Sequence, residues 1–187
     1  LLGGCLTVFD PLRDFFHRRR AAQLTEQAST VQLVVERSES LRGHFVFPGP
    51  DISALIQLDG QRVGRINYGV SPLDDRVYIS DLHISSAHRR CGIGLTALWR
   101  LWSQYQVPLT PMHEVGTSIE FWAKVRKRFA GAGAELTRDI RTSDHDAEQQ
   151  RWMHLVPEPE HERLIRELKT SPEWPAIEAE MMTRFGS

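Results

Sequence analysis

Cysteine is almost missing from this chain. Only Cys5 and Cys91 occur among 187 residues, so no disulfide framework is implied, and a reducing, cytoplasmic setting is the expectation. No apolar run approaches the ~20 residues that a membrane helix requires, so no membrane partner is expected. A surplus of one charge is lacking too. Lys and Arg number 23 against 24 Asp and Glu, a net charge of -1, which argues against whole-domain attraction to nucleic acid or anionic lipid. The eight histidines show no ligand spacing, and "SDHDAE" at 143–148 reads as a polar turn, so no metal is expected. Repeats and low-complexity tracts are absent. The opening "LLGGC" is similar to the small-residue-then-cysteine site of a lipoprotein but lacks the basic and long apolar segments of such a signal. A start at Leu1 reads as a trimmed N-terminus.

What is present reads as one domain's worth of globular chain, with 41% hydrophobic and 25% charged residues. Asp10-Pro11 suits the start of a helix over about 11–28, whose "HRRR" at 17–20 reads as a solvated basic face. "VQLVVER" from residue 31 is a strand by its β-branched content. Residues 52–70 form a hairpin around Asp59-Gly60, with Ile52, Ala54, Ile56 and Leu58 on one face. Residues 76–84 make a further strand. A helix follows to about Gln104, with Leu95, Leu98 and Trp102 inward and Trp99 beside them. Residues 107–115 read as a strand distorted near Pro111. Thr117–Phe129 reads as a helix with Thr117 and Glu120 in a capping box. "AELTRDIRT" and "RWMHLV" read as two closing strands around a polar connection at 143–150. Past Pro157-Glu158-Pro159 come two amphipathic helices. Leu164, Ile165 and Leu168 mark the first, and Trp174, Ile177, Met181 and Phe185 the second, which Ser171-Pro172 caps.

Between the fourth strand and its helix lies "SSAHRRCGIGLTA", which fits two phosphate-binding patterns. Gly92-Ile93-Gly94-Leu95-Thr96-Ala97 fits the dinucleotide fingerprint, and Glu114 lies 22 residues beyond Gly92, where a ribose-binding carboxylate belongs. Three features oppose that reading. Seven residues separate Ile84 from Gly92, where a dinucleotide turn would begin almost at the strand end. A hairpin and another strand precede the turn, and about 90 residues remain after it, too few for a second nucleotide half and a catalytic domain. Arg89-x-x-Gly92-x-Gly94 accommodates the gap. A loop of several residues lets successive N–H groups curl around a pyrophosphate, with the helix N-terminus behind them and Arg89 and Arg90 beside them.

The element order and these residues resemble the GNAT superfamily of acetyl-CoA-dependent N-acetyltransferases. Its motif [QR]-x-x-G-x-[GA] is matched by Arg89, Gly92 and Gly94. "LHISS" resembles the family strand that splays open to hold pantetheine, and Ser118, Phe121 and Lys124 of "TSIEFWAKV" match a later family helix. The resemblance spans about residues 31–156. It implies an α/β (α+β) fold: a mixed, mostly antiparallel central sheet flanked by helices, with extra helical segments at 1–30 and 157–187. It implies acetyl-CoA as cosubstrate. His83 and Ile84 would lie at the strand end, with Arg90, Cys91, Ile93, Leu95 and Thr96 joining the motif residues in the turn. Ser118, Trp122 and Lys124 would meet the cofactor from the later helix, where "KVRKR" is a candidate partner for the 3′-phosphate.

In such a family the acceptor, a small-molecule or peptide amine, attacks the thioester directly in a ternary complex. Only about 0.04% of a lysine-like amine is neutral at pH 7, so a base must take a proton. Many members carry that base at positions matching Tyr78 or Ser80, neither of which is competent at neutral pH. Trp122 stands where the family's acid is a tyrosine. Asp81 and His83 are the nearest titratable candidates, and strict alternation puts them on the face opposite Tyr78 unless a bulge intervenes. His113 and Glu114 are further candidates near substrate entry. Cys91 reads as a spacer. The competing classes are an N-acetyltransferase, a non-catalytic acyl-CoA-binding module, and an interaction protein whose end helices bind a partner or form a homodimer.

Overall fold

The computed structural model describes residues 10–185. The "LLGGC" start and the side chain of Phe185 lie outside the described residues. Chain contacts divide the molecule into two compact units, Leu1–Met153 and His154–Ser187.

The first unit opens with α1 (Asp10–Ala28), then strands β1 (Val31–Glu39), β2 (Asp51–Leu58), β3 (Gln61–Val70) and β4 (Val77–Ile84). Helix α2 (Ile93–Tyr105), the short β5 (Leu109–Pro111) and helix α3 (Ile119–Gly131) follow. The five strands lie in chain order in one open sheet. Every neighbouring pair is antiparallel except β4–β5. The fold is therefore mixed α/β with a mostly antiparallel sheet flanked by helices. The β2–β3 hairpin turns on Asp59 and Gly60, both at positive φ, the backbone that a two-residue turn of this hand requires.

Alternation sorts the strand residues onto two faces. Ile52, Ala54 and Ile56 of β2, Ile66 and Tyr68 of β3, and Val77 and Ile79 of β4 face one core. Leu24 and Ala28 of α1, Leu98 and Leu101 of α2, and Val125 and Phe129 of α3 close it. The N-terminal helix thus packs into the first unit, and its Thr25 hydroxyl accepts from Trp99 Nε1 at 3.1 Å.

The opposite face of the sheet is covered at one end by the β1–β2 connection and by residues 142–153. Trp152 is 1% exposed, lies 5.7 Å from the Phe45 ring, and donates from Nε1 to the Phe47 carbonyl at 3.1 Å. Here the sequence expectation fails. "RWMHLV" is not a strand but a 3₁₀ helix over Gln150–Leu155, preceded by a 3₁₀ turn at Thr142–Asp144 and the short helix α4 (His145–Gln149). "AELTRDIRT" makes only single bridges to the β5 region, Leu109 to Leu136 and Met112 to Ile140. The capping box at Thr117 is also not formed. A 3₁₀ turn at Gly116–Ser118 starts the helix later, and the Ser118 hydroxyl, not Thr117, bonds back to Val115.

The second unit consists of α5 (Glu160–Thr170) and α6 (Trp174–Phe185). The Trp174 N–H donates to the Ser171 carbonyl at 3.2 Å, so Ser171 starts α6 through its backbone. Leu164, Ile165 and Leu168 are exposed. No described helix is long and apolar enough to cross a membrane.

Candidate functional site

The site begins where β4 loses its neighbour. β4 and β5 pair over three residues only, Val77–Leu109, Tyr78–Thr110 and Ile79–Pro111. The Met112 N–H closes the pairing on the Ile79 carbonyl at 2.8 Å, and the His113 N–H then turns to Ile140 instead. His113 sits at φ 60°, so the chain bends away. From Asp81 to Ile84, β4 keeps β3 on one side and has no strand on the other. The Ser85 N–H donates to the Val63 carbonyl. Since N–H groups along an antiparallel strand alternate between its two sides, those of Ile84 and Leu82 face the open edge. His83 faces β3: a Cβ built on Gly64 would lie 2.4 Å from the His83 carbonyl. Of the two strand-end residues expected to meet a thioester through the backbone, Ile84 is on the open side and His83 is not.

The open edge runs into the glycine turn. A 3₁₀ turn at Ser86–His88 is tied by Ser85 Oγ to His88 Nδ1 at 2.8 Å. Arg89 Nε donates back to the Ile84 carbonyl at 2.9 Å, so its side chain braces the loop against the strand. Arg90 and Gly92 both adopt positive φ, 62° and 83°. These angles turn the chain so that α2 starts at Ile93. Thr96 closes the first turn, giving both its N–H and its hydroxyl to the Gly92 carbonyl at 3.0 Å. Between them, the N–H groups of Arg90, Cys91, Gly92, Ile93, Gly94 and Leu95 have no acceptor among the described residues. Six consecutive donors thus stand at a helix N-terminus beside the exposed Arg90, the kind of arrangement from which anion sites are built. Gly94 keeps the approach narrow, because a Cβ there would lie 3.2 Å from the Phe121 ring. Cys91 is exposed, its thiol 3.5 Å from the Arg89 carbonyl.

No family model matches the chain, and no curated protein matches it.

The remaining sequence candidates separate. Along β4 the alternation breaks at Ser80, because Asn67 pairs with Asp81 and Tyr68 with Ile79. This bulge turns Asp81 and His83 to the face that carries Tyr78, away from the helical core. Ser80 donates to the Asn67 carbonyl at 3.1 Å, and Asp81 pairs with Arg65 at 3.1 Å. His83 is exposed and lines a cavity of about 380 Å³ with Arg62, Arg65 and Ser85. On α3, Ser118 is engaged with Val115, Trp122 is 7% exposed within the core, and Lys124 faces α1 rather than the glycine turn. Glu114, the ribose carboxylate of the dinucleotide pattern, is held by both terminal nitrogens of Arg126, one at 2.8 Å.

A polar cluster that the sequence does not announce surrounds Tyr78. Its ring is fully buried, and its hydroxyl donates to Glu148 Oε1 at 2.5 Å. Glu148 also accepts from Arg151 and from Arg76, and Arg151 reaches Asp75. Burial, reinforced by the Glu148 carboxylate, pushes the Tyr78 phenol well above its ordinary range, so it remains a donor. Burial opposes ionisation of Asp75, but the Ser71 hydroxyl and Arg151 outweigh it and hold the carboxyl below its usual range. Beside this cluster His145 lies 5.3 Å from the His113 ring and 4.7 Å from Phe45. Burial and then His113 hold its imidazole below the ordinary value of 6.5. Tyr78 and Glu148 lie 70 positions apart in sequence, so no local spacing could reveal that pair.

Proposed function

We propose that this chain seats the diphosphate of acetyl-CoA on the N–H groups of Arg90–Leu95 and transfers the acetyl group to a primary amine. The observation that carries the reading is continuity. The strand edge that opens at Asp81–Ile84 leads directly into six unpartnered donors, so one extended acyl-pantetheine diphosphate would find backbone partners along its length. The motif resemblance of Arg89, Gly92 and Gly94 supports the same cosubstrate.

Acetyl-CoA would supply the activated thioester. The residues of this chain bind, brace and polarise. Arg90 and the α2 N-terminus hold the diphosphate, while Arg89 fixes the loop to Ile84. The Ile84 and Leu82 N–H groups are fixed donors for the oxygen on which negative charge develops, and such preorganised donors lower the barrier. Among the four strand candidates, Tyr78, Ser80 and Asp81 are engaged with Glu148, Asn67 and Arg65. His83 alone is exposed and without a hydrogen bond or ion pair among the described residues, and its imidazole is the side chain placed to accept the amine proton.

Calorimetry with CoA and free-thiol release from acetyl-CoA over an amine panel test this. Gly92→Val strains a residue at φ 83° without a steric clash. It is expected to weaken CoA binding at least about tenfold. Binding of a nicotinamide dinucleotide in place of CoA, or no response to Gly92→Val, overturns the reading. His83→Ala is expected to lower kcat about 100-fold with CoA affinity retained. The engagement of Tyr78, Ser80 and Asp81 favours one rival, a non-catalytic acyl-CoA-binding module. CoA binding without thiol release for any amine would establish it.

A further inference from the structure

Away from the glycine turn, α1 and α3 face one another across a cavity of about 470 Å³. α1 contributes Arg20, Gln23 and Gln27, and α3 contributes Lys124, Lys127 and Arg128. On each helix these positions recur at three- and four-residue steps, which puts them on a single face. The lining thus carries four cations and no carboxylate.

Cations on packed helices are normally answered by acids one turn away or across the groove. Arg126, on the same helix, is answered by Glu114. The four cavity cations are not, since no ion pair among the described residues joins any of them to a carboxylate. Glu120 stands one turn before Lys124 but forms no ion pair with it among the described residues. No acid occurs between Glu120 and Glu135 or between Asp14 and Glu26, and the uncharged polar residues that α1 gives to the cavity are Gln23 and Gln27. Glutamine cannot neutralise a cation, but it supplies amide donors to an anion that does. A Cβ on Gly131 would lie 2.6 Å from Arg20 Nη1, so the guanidinium rests against α3 on the side of the cavity opposite its own helix.

We propose that this cleft binds a small molecule carrying two or more clustered phosphates. Lys124, Lys127 and Arg128 occupy a single helical turn of ~6 Å, a span suited to a short oligophosphate, with the Arg20 guanidinium reaching across from α1 to join them. Arginine forks and lysine point charges together suit phosphate oxygens. A nucleic-acid track would carry its cations onward along the surface, whereas within this concave site the α1 wall continues from Arg20 to Gln23 and Gln27. The cleft shares no residue with Arg89–Thr96, so it stands independently of the acetyl-CoA reading and takes Lys124 out of that seat.

Calorimetry of the full chain with inorganic triphosphate at low salt tests the site. Saturable one-to-one binding is expected, weakened at least about tenfold in Lys127→Ala/Arg128→Ala. Gln23→Glu is expected to weaken it comparably by adding the missing carboxylate, and this variant decides the matter if the double variant does not fold. Gly92→Val and saturating CoA are expected to leave triphosphate binding unchanged. Four outcomes overturn the proposal: no saturable binding, insensitivity to the cleft variants, displacement by CoA or loss in Gly92→Val, and tighter binding of a short nucleic-acid duplex with the same variant sensitivity.

Discussion

Ser80 decides which side chains share a face on β4. One extra residue there shifts the alternation, and Asp81 and His83 join Tyr78 on the side away from the helices. Tyr78 itself is structural glue. Tyr78→Phe keeps the ring packing and deletes one bond to a carboxylate, so a loss of about 1–2 kcal/mol in denaturant unfolding is expected. His145 titrates in the opposite sense to a salt-bridged histidine. Its folded value lies below 6.5, so the unfolded chain takes up a proton first as the pH falls. Its contribution to stability is full above about pH 6.5 and is lost as the pH falls through the folded value. The melting temperature should therefore decline on acidification below pH 6.5, and His145→Phe should flatten that part of the profile. Asp75, held below 3.8, contributes a separate loss on further acidification that the His145 variant leaves in place.

At the scale of elements, the segment 142–155 is the least legible from sequence and among the most consequential. Its apolar residues fit a strand as readily as a helix over so short a run. The helical form prevails because Glu148, Gln149, Arg151 and Trp152 all reach fixed partners. Gln149 bonds the Phe45 carbonyl at 2.9 Å, Trp152 bonds that of Phe47, and Glu148 meets Tyr78. An extended chain would turn alternate members of that set away from the sheet. Trp152→Ala is accordingly expected to cost about 3–5 kcal/mol, measured by chemical denaturation. β5 is short for a different reason. The chain leaves β4 after Met112, where His113 takes φ 60° and gives its N–H to Ile140, and that departure is what opens β4.

For the whole molecule, every residue of the main core lies between Leu24 and Leu136, and the buried Trp152 lies just before the unit boundary. A chain ending at Glu158 should therefore keep its cooperative melting transition within a few degrees of the full chain in calorimetry, since no described residue of that core falls in the second unit. The sequence by itself determined the five long helices, the hairpin and the glycine turn, because each depends on local periodicity, a turn dipeptide or a residue that tolerates positive φ. Only the tertiary structure decided that β4 stands open beyond Ile79, that its face is reset at Ser80, and that Glu148 answers Tyr78. The same holds for the four cations that meet between α1 and α3. All of these depend on which distant segments come together, and the free energy of such pairing belongs to the packed chain, not to any stretch of it.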